Sequence, residues 1–396
     1  MQVGEEYTVA TSCRSGRIAQ AVLALLFLFC LPAFAQVEFN TKAKFAVLMD
    51  YNSGTVLYQK DADERMEPAS MAKLMTIAVV FDQLQKGRLS LDDEVFISEK
   101  AWREGGAASG GSTMFAELDS KVSVGDLVKS VIIQSGNDAS IALAEAIGGT
   151  ELSFVRMMNE MAKDIGLQRS DFANSTGLPD PTMHVTARDL GNLARHIIKT
   201  YPEYYSIFSE PSFEWNNINQ GNRNTLLDDG IGVDGLKTGH TESAGYGIVA
   251  STTENGRRLI AVLHGMESKK QRTEEARKLL TWGSRSFERI QAFDQDQIVA
   301  EIPVYGGEKP KVGLTGEGQI DLYVPKGSKR CLSAKIVYNG PLIPPVDRGQ
   351  QVASLQVWCD DKLIQSSPLY AAETIEQGGI VRRATDALKE LAFGWI

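Results

Sequence analysis

The sequence predicts an α+β fold: an antiparallel sheet packed with helices, then a small all-β domain and a C-terminal amphipathic helix. Strand patterns flank a long helical stretch within residues 36–292. Short alternating strands with Gly and Pro turns fill residues 293–375, and apolar residues recur at helical spacing over 376–396. A chain of 396 residues exceeds what one hydrophobic core normally serves, which favours two folded domains.

Residues 1–35 have the pattern of a secretory signal peptide. Arg14 and Arg17 precede an apolar run that ends in small residues at Ala33 and Ala35. The run is short for a membrane span and Pro32 interrupts it. We therefore expect cleavage after Ala35 and export of the mature chain.

Strands, then helices, then strands and a helix follow one another within residues 36–292. Two strands surround the turn "NSG", and a helix over 69–86 ends at Gly87. The other predicted helices cover 123–133, 138–147, 151–165, 186–199 and 269–290, and the later strands lie within 232–266. This order is typical of an antiparallel sheet with helices packed on it.

The predicted β domain, residues 293–375, is expected to be sandwich-like. Cys331 and Cys359 lie in it and remain after removal of the leader. Export to an oxidising compartment permits a disulfide between them, but spacing cannot fix the geometry. A disulfide and two free buried thiols are both open.

The last segment, residues 376–396, predicts an amphipathic helix that ends in "FGWI". Val381, Leu388 and Trp395 fall on an apolar side, and charged residues lie mostly on the other. Such a helix could lie in a membrane interface. It could also dock on its own protein or on a second subunit.

Composition and missing motifs exclude several functions. The net charge is −9 and no long basic run is present, which argues against nucleic acid as a partner. The chain has no H-E-x-x-H, no Cys/His ligand cluster, no P-loop and no G-x-S-x-G elbow. We expect neither a metal ion nor a cofactor.

Ser70 and Lys73, in "PASMAKLMT", share one face at the start of a helix. A serine needs an adjacent base to become a nucleophile, and a lysine can serve if its pKa is lowered. Two further motifs follow in order: Ser135-Gly-Asn137 between helical stretches, and Lys237-Thr238-Gly239 in a strand. The set S-x-x-K, S-x-N, K-T-G is the signature of penicillin-binding proteins and serine β-lactamases.

The chain resembles the low-molecular-mass penicillin-binding proteins that act as serine-type D-alanyl-D-alanine carboxypeptidases (peptidase S11 type). "PASMAKLMT", "SGNDAS", "FANSTGLPD", "HVTARDL" and "KTGHT" carry the resemblance, which covers essentially the whole mature chain. It implies a β-lactamase-like catalytic domain and removal of the terminal D-alanine from peptidoglycan stem pentapeptides.

The resemblance also implies roles for the motif residues. Ser70 is the expected acyl-accepting nucleophile, Lys73 its general base, and Asn137 a holder of the substrate peptide. Ser135 and Lys237 are expected to relay a proton to the leaving group and to balance charge. The expected substrate-binding residues are Lys237, Thr238, Gly239 and His240, with the backbone N–H groups of Ser70 and His240 as oxyanion hole.

The implied partners are stem peptides ending in D-Ala-D-Ala, β-lactam antibiotics as inhibitors, and the outer face of the cytoplasmic membrane through the C-terminal helix. The implied place is the periplasmic face of the bacterial inner membrane, with a role in peptidoglycan remodelling and cell shape. A β-lactamase or a DD-endopeptidase on the same scaffold is an alternative. A non-catalytic wall-binding module is a third, although it would be expected to lose a motif residue.

Overall fold

The structure, a computed structural model, describes residues 39–254, 256–326, 332–359 and 361–393. The predicted signal peptide, residues 1–35, lies outside the described residues. The chain divides into two compact units, Thr41–Arg285 and a second unit that begins at Ser286.

Five antiparallel strands form the central sheet of the first unit, in the order β2-β1-β9-β8-β7. The pairs β3/β4 and β5/β6 form two small separate two-stranded sheets. The strands are β1 (Phe45–Asp50), β2 (Val56–Lys60), β3 (Glu94–Phe96), β4 (Lys121–Ser123), β5 (Ser212–Trp215), β6 (Ile218–Gly221), β7 (Val233–Thr241), β8 (Gly245–Glu254) and β9 (Arg257–Met266). Strand β7 is an edge strand of this sheet, so one side of its backbone pairs with no other strand of the sheet.

The helices of the first unit supply most of its core. They are α1 (Lys73–Gln85), α2 (Val124–Lys129), α3 (Asn137–Gly148), α4 (Glu151–Asp164), α5 (Ala187–Thr200), α6 (Pro202–Tyr205) and α7 (Lys269–Arg285). Ser123, Thr150 and Thr186 cap α2, α4 and α5 through their hydroxyl oxygens. Almost every residue of α1 is buried, which makes it the central helix of the unit.

Helices α5 and α7 cover opposite faces of the sheet. The backbone of α5 at Gly191 closely approaches Val47 and Met49, whereas that of α7 at Gly283 approaches Leu48. Successive residues of a strand point to opposite faces, so the alternation along β1 places the two helices on its two sides. The strands are apolar on both faces because both faces are covered.

The second unit contains the all-β fold that the sequence predicts, followed by a helix. Its elements are β10 (Phe287–Phe293), β11 (Ala300–Pro303), β12 (Lys311–Thr315), β13 (Ile320–Pro325), β14 (Leu332–Tyr338), β15 (Gln351–Cys359), β16 (Lys362–Ala371) and α8 (Ile380–Phe393). Strand β10 pairs with β13, and the others form the order β11-β12-β16-β15-β14. Cys359 is disulfide-bonded, and Cys331 lies outside the described residues.

Helix α8 falls within the predicted tail helix, whose residues 394–396 lie outside the described part of the chain. Ile380, Val381 and Leu388 are 78%, 80% and 66% exposed. Among the described residues, no helix combines the length and the apolar character that crossing a bilayer requires.

Three helix predictions are wrong at their ends. The helix expected over 269–290 ends at Arg285, because residues from Phe287 onward pair with β13. The helix expected from residue 69 begins as a 3-10 turn and becomes an α-helix at Lys73. The helix expected over 123–133 changes to a π-turn at Ser130.

We expect Gly148→Ala to destabilise the first unit. A Cβ at Gly148 would lie 2.6 Å from the backbone nitrogen of Phe154, at the junction of α3 and α4. Backbone cannot yield as a side chain can, so we expect a loss of about 1–3 kcal/mol, more than the helix propensity gained. Thermal unfolding measures this, with Gly221→Ala as control because nothing lies within 4 Å of its Cβ position. A Gly148→Ala protein as stable as the control would contradict the prediction.

Candidate active site

Ser70 lies in the 3-10 turn Ala69–Ala72, immediately before α1. The preceding residue, Ala69, has a φ of 49°, a conformation that costs free energy for any residue with a Cβ. Neighbouring segments hold this turn closely: a Cβ at Gly177 would lie 2.0 Å from the Ala69 carbonyl oxygen, and one at Gly239 would lie 3.1 Å from that of Pro68. Two glycines therefore allow the strained turn to be clamped between a loop and β7.

Lys73, the first residue of α1, is completely buried. Its Nζ donates to three oxygens: Ser70 Oγ at 3.1 Å, Asn137 Oδ1 at 2.7 Å and the Thr176 carbonyl at 2.5 Å. These contacts join segments that are 64 and 103 residues away in the chain to the start of α1. They bring together the predicted nucleophile, base and amide.

Burial, together with the positive charge of Arg223, lowers the pKa of Lys73 from 10.5 to about 7. The buried carboxylate of Asp138 acts in the opposite direction. Removing an ammonium from water disfavours its charged form, which explains the sign of the main effect. Near neutral pH, a substantial fraction of Lys73 is therefore an amine whose lone pair can accept the Ser70 proton.

Asn137 is the first residue of α3, and Gly136 is its N-cap. The Asn137 side chain therefore does not cap the helix but turns to Lys73. Its backbone N–H donates to the Ser112 carbonyl at 2.7 Å, and its Nδ2 lies 2.8 Å from the position of a Cβ on Gly111. The glycine- and serine-rich loop before β4 thus packs against Asn137.

Ser135 follows the π-turn Ser130–Gln134 and has a φ of 73°. It is 2% exposed, and its Oγ has no hydrogen-bond partner among the described residues. Buried hydroxyl groups are nearly always paired, so an unpaired one two residues before Asn137 is a candidate for a proton-relay or substrate contact.

Lys237 lies in β7 and is 2% exposed. Its Nζ donates to the Thr238 carbonyl at 3.2 Å. Burial holds the pKa of Lys237 well below its usual value, and the charges of Lys73, Arg223 and Arg272 add to the effect. The two motif lysines therefore share one electrostatic environment, which is strongly receptive to an anion.

The remaining motif residues follow along β7. Thr238 is 5% exposed and Gly239 packs against the Ser70 turn. The His240 side chain is exposed and stacks on Tyr246, with 3.9 Å between ring centroids. The structure thus separates the His240 side chain from the Lys73 contacts, while its backbone continues the strand beside Ser70.

Four groups that act at this site could not be identified from the sequence. The Thr176 contact is made by a backbone carbonyl, which any residue type could supply. Arg223 and Arg272 belong to no motif and act through space. Asp138 accepts hydrogen bonds from Thr113 Oγ1 and from the N–H groups of Met114 and Ala116, which anchors the neighbouring loop. Of these four groups, only Asp138 lies next to a motif residue, Asn137 in "SGND", and this position could have pointed to it.

Comparisons with known proteins agree on one family. Residues 33–268 match the D-alanyl-D-alanine carboxypeptidase family (peptidase S11), and residues 287–377 match the penicillin-binding protein 5 C-terminal domain. "D-alanyl-D-alanine carboxypeptidase DacC" of Escherichia coli (strain K12) is 40% identical over 370 residues, which cover 92% of each chain.

A curated protein and a crystal structure, both from Haemophilus influenzae, give the same result. "D-alanyl-D-alanine carboxypeptidase DacA" is 40% identical over 349 residues, covering 87% of this chain and 88% of the relative. The crystal structure of penicillin binding protein 5 superposes with a TM-score of 0.68 at 39% identity and covers 86% of this chain and 99% of that one. The chain is therefore a member of the peptidase S11 family of D-alanyl-D-alanine carboxypeptidases, a low-molecular-mass penicillin-binding protein.

Proposed function

We propose that this chain is a serine-type D-alanyl-D-alanine carboxypeptidase that removes the terminal D-alanine from peptidoglycan stem pentapeptides through an acyl-enzyme on Ser70. The observation that carries the proposal is the buried Lys73 amine, 3.1 Å from Ser70 Oγ, with a pKa of about 7. Family membership gives the substrate class, and this pair gives the chemistry.

In the first step, Ser70 Oγ attacks the carbonyl carbon between the two D-alanines while its proton passes to Lys73 Nζ. The negative charge moves to the carbonyl oxygen, for which the backbone N–H groups of Ser70 and His240 are the proposed donors. Collapse of this intermediate breaks the C–N bond. The leaving D-alanine nitrogen takes a proton, for which the unpaired Ser135 Oγ is the proposed relay.

In the second step, a water molecule attacks the ester carbonyl and gives a proton to the base. Ser70 Oγ leaves and is protonated, which restores the free enzyme. The products are D-alanine and a stem peptide shortened by one residue. Asn137 and the edge of β7 are the proposed holders of the peptide during both steps, since an edge strand can pair with an extended chain.

Recognition of a free C-terminus follows from the charges of the site. The substrate ends in a carboxylate, and the positive charge of Arg223 acts on both Lys73 and Lys237, while that of Arg272 acts on Lys237. A carboxylate placed among them would be held by charge-assisted hydrogen bonds. An enzyme that cuts only the last residue needs this selection.

The other candidate functions are less favoured. A β-lactamase needs a base for rapid hydrolysis of the acyl-enzyme and has no use for a β domain with a tail helix. A DD-endopeptidase would use the same chemistry on cross-linked peptides, whose leaving group carries a chain. A non-catalytic wall-binding module does not require the Ser70, Lys73 and Asn137 contacts to be complete.

We expect fluorescent penicillin to label the wild-type protein covalently and to leave Ser70→Ala unlabelled, because the β-lactam ring presents a reactive amide to the same nucleophile. We also expect a peptide ending in D-Ala-D-Ala to lose one alanine, detected by mass spectrometry. The same peptide with a C-terminal amide is the control and should be cleaved far more slowly. Labelling of Ser70→Ala, or fast nitrocefin turnover without release of D-alanine, would contradict the proposal.

We expect the rate of penicillin acylation to rise with pH through a midpoint near 7. The base is the neutral amine, and the folded-state pKa of Lys73 is lowered to about 7. Below that value, the amine fraction and the rate fall about tenfold per pH unit. Stopped-flow acylation between pH 5 and 9 measures this, with circular dichroism to verify folding at each pH. A pH-independent rate would show that a neutral Lys73 is not the base, and a midpoint near 10 would show that burial does not lower the pKa of Lys73.

The chain is proposed to act at the periplasmic face of the bacterial inner membrane, in peptidoglycan remodelling and cell shape. The signal-peptide pattern of residues 1–35 supports export. Helix α8 supports peripheral attachment, because Ile380, Val381 and Leu388 are exposed apolar side chains on one short helix.

We expect a chain truncated before Gly379 to move from the membrane to the soluble fraction after cell lysis. The truncation removes α8 and leaves the Ser70 site in the first unit unchanged. Penicillin labelling of both fractions therefore follows the protein and verifies that it is folded. If the truncated chain stays with the membrane, α8 is not the anchor.

A further inference from the structure

A largely buried carboxylate is connected to Lys73, the proposed base, through Ser175 and Thr176. Glu151, the first residue of α4, is 12% exposed at its side chain and forms an ion pair of 2.6 Å with Lys100. Its Oε1 accepts hydrogen bonds from Ser175 N at 3.0 Å and from Ser175 Oγ at 2.7 Å. The next residue, Thr176, supplies the carbonyl that accepts from Lys73.

Several hydrogen bonds hold the segment around Thr176 in place. Ser175 is completely buried, and its carbonyl accepts from Thr76 Oγ1 at 2.7 Å. Asn174 Oδ1 accepts from Thr176 N at 3.1 Å and from Gly177 N at 2.8 Å. The Glu151 carboxylate is the one charged group in this set and it accepts both donors of Ser175. It therefore contributes strongly to the direction of the Thr176 carbonyl.

The direction of that carbonyl matters for Lys73 as a base. A neutral amine has two N–H donors and one lone pair, whereas an ammonium has three donors. Three oxygens surround Lys73 Nζ. When Thr176 O and Asn137 Oδ1 take the two N–H groups of the amine, its lone pair faces the third oxygen, Ser70 Oγ.

We propose that Glu151 is a positioning residue: by holding Ser175 it aims the Thr176 carbonyl, which in turn aims the Lys73 lone pair at Ser70. The inference rests on the proposed acyl-enzyme chemistry. Neither Glu151 nor Ser175 contacts Ser70 or Lys73 through its side chain in the described hydrogen bonds, so their effect passes through the backbone of residue 176.

The test is the rate of acylation by fluorescent penicillin in matched variants of the full chain. Glu151→Ala removes the acceptor, and we expect acylation to slow at least about tenfold, as displacement of a reacting group usually does. Glu151→Gln keeps an oxygen that can accept from Ser175, so we expect its rate to stay within about threefold of wild type. Ser175→Ala removes one of the two bonds and should fall between them, which keeps the test open if Glu151→Ala does not fold.

Two measurements separate positioning from general destabilisation. Glu145→Ala is the matched control, because Glu145 is a half-buried carboxylate nearby that accepts from Ser98 Oγ at 2.6 Å and makes no described contact with Ser175. In Glu151→Ala, the Thr176 carbonyl is expected to turn away from Lys73 Nζ. Because this acceptor favours the ammonium form, its loss should lower the pKa of Lys73 and move the acidic limb of the pH–rate profile to lower pH. The limb of Glu145→Ala should stay in place.

The inference is overturned if Glu151→Ala acylates within about twofold of wild type, if Glu145→Ala slows equally, or if the acidic limb of Glu151→Ala does not move. Each of these results leaves the proposed function intact provided that wild type is labelled at Ser70. A wild type that penicillin does not label would refute both.

Discussion

The burial of one lysine is the constraint on which the rest of the catalytic unit depends. Lys73 has no exposed surface, and holding its pKa near 7 rather than 10.5 corresponds to a cost on the order of 5 kcal/mol for the charged form. The surrounding structure must supply this free energy from apolar packing. The nearly complete burial of α1, with Leu74, Met75 and Phe81 at its centre, provides it. The lysine whose charge is so costly to bury is thus also the proposed base for Ser70.

Three segments meet at Lys73: those that contain Ser70, Asn137 and Thr176. Glycines or residues with a positive φ lie in or against each of them. Ala69 and Ser135 adopt positive φ values, and Gly177 and Gly239 permit backbones to approach the turn that carries Ser70. Strain of this kind persists where the surrounding packing determines it, and it concentrates at functional sites. The sheet contributes rigidity, since β7 is held by β8 along its whole length.

The sequence predicts the α+β architecture, the all-β second unit and a cluster at Ser70, Lys73 and Asn137, because each depends on local periodicity or on residue types that chemistry requires. It does not predict the end of α7, because the pairing of Phe287 with a strand more than thirty residues later is a tertiary interaction that overrides local helical preference. The Thr176 carbonyl is equally invisible, since a backbone acceptor carries no residue signature. The Glu151–Ser175 contacts join two residues 24 positions apart that no motif links. Arg223 and Arg272 act at a distance through space and so leave no spacing pattern.

The separation of these segments along the chain means that reaction with a β-lactam depends on folding. In an unfolded chain, Lys73 is solvated with a pKa near 10.5, stays charged at neutral pH and cannot take a proton from Ser70. Its three acceptors converge only after residues 64 and 103 positions away have docked. A still unfolded molecule is therefore expected to be inert toward a β-lactam. The amount of covalent adduct therefore measures the number of folded molecules alone. A labelled β-lactam can thus report how much of the protein has reached its native conformation.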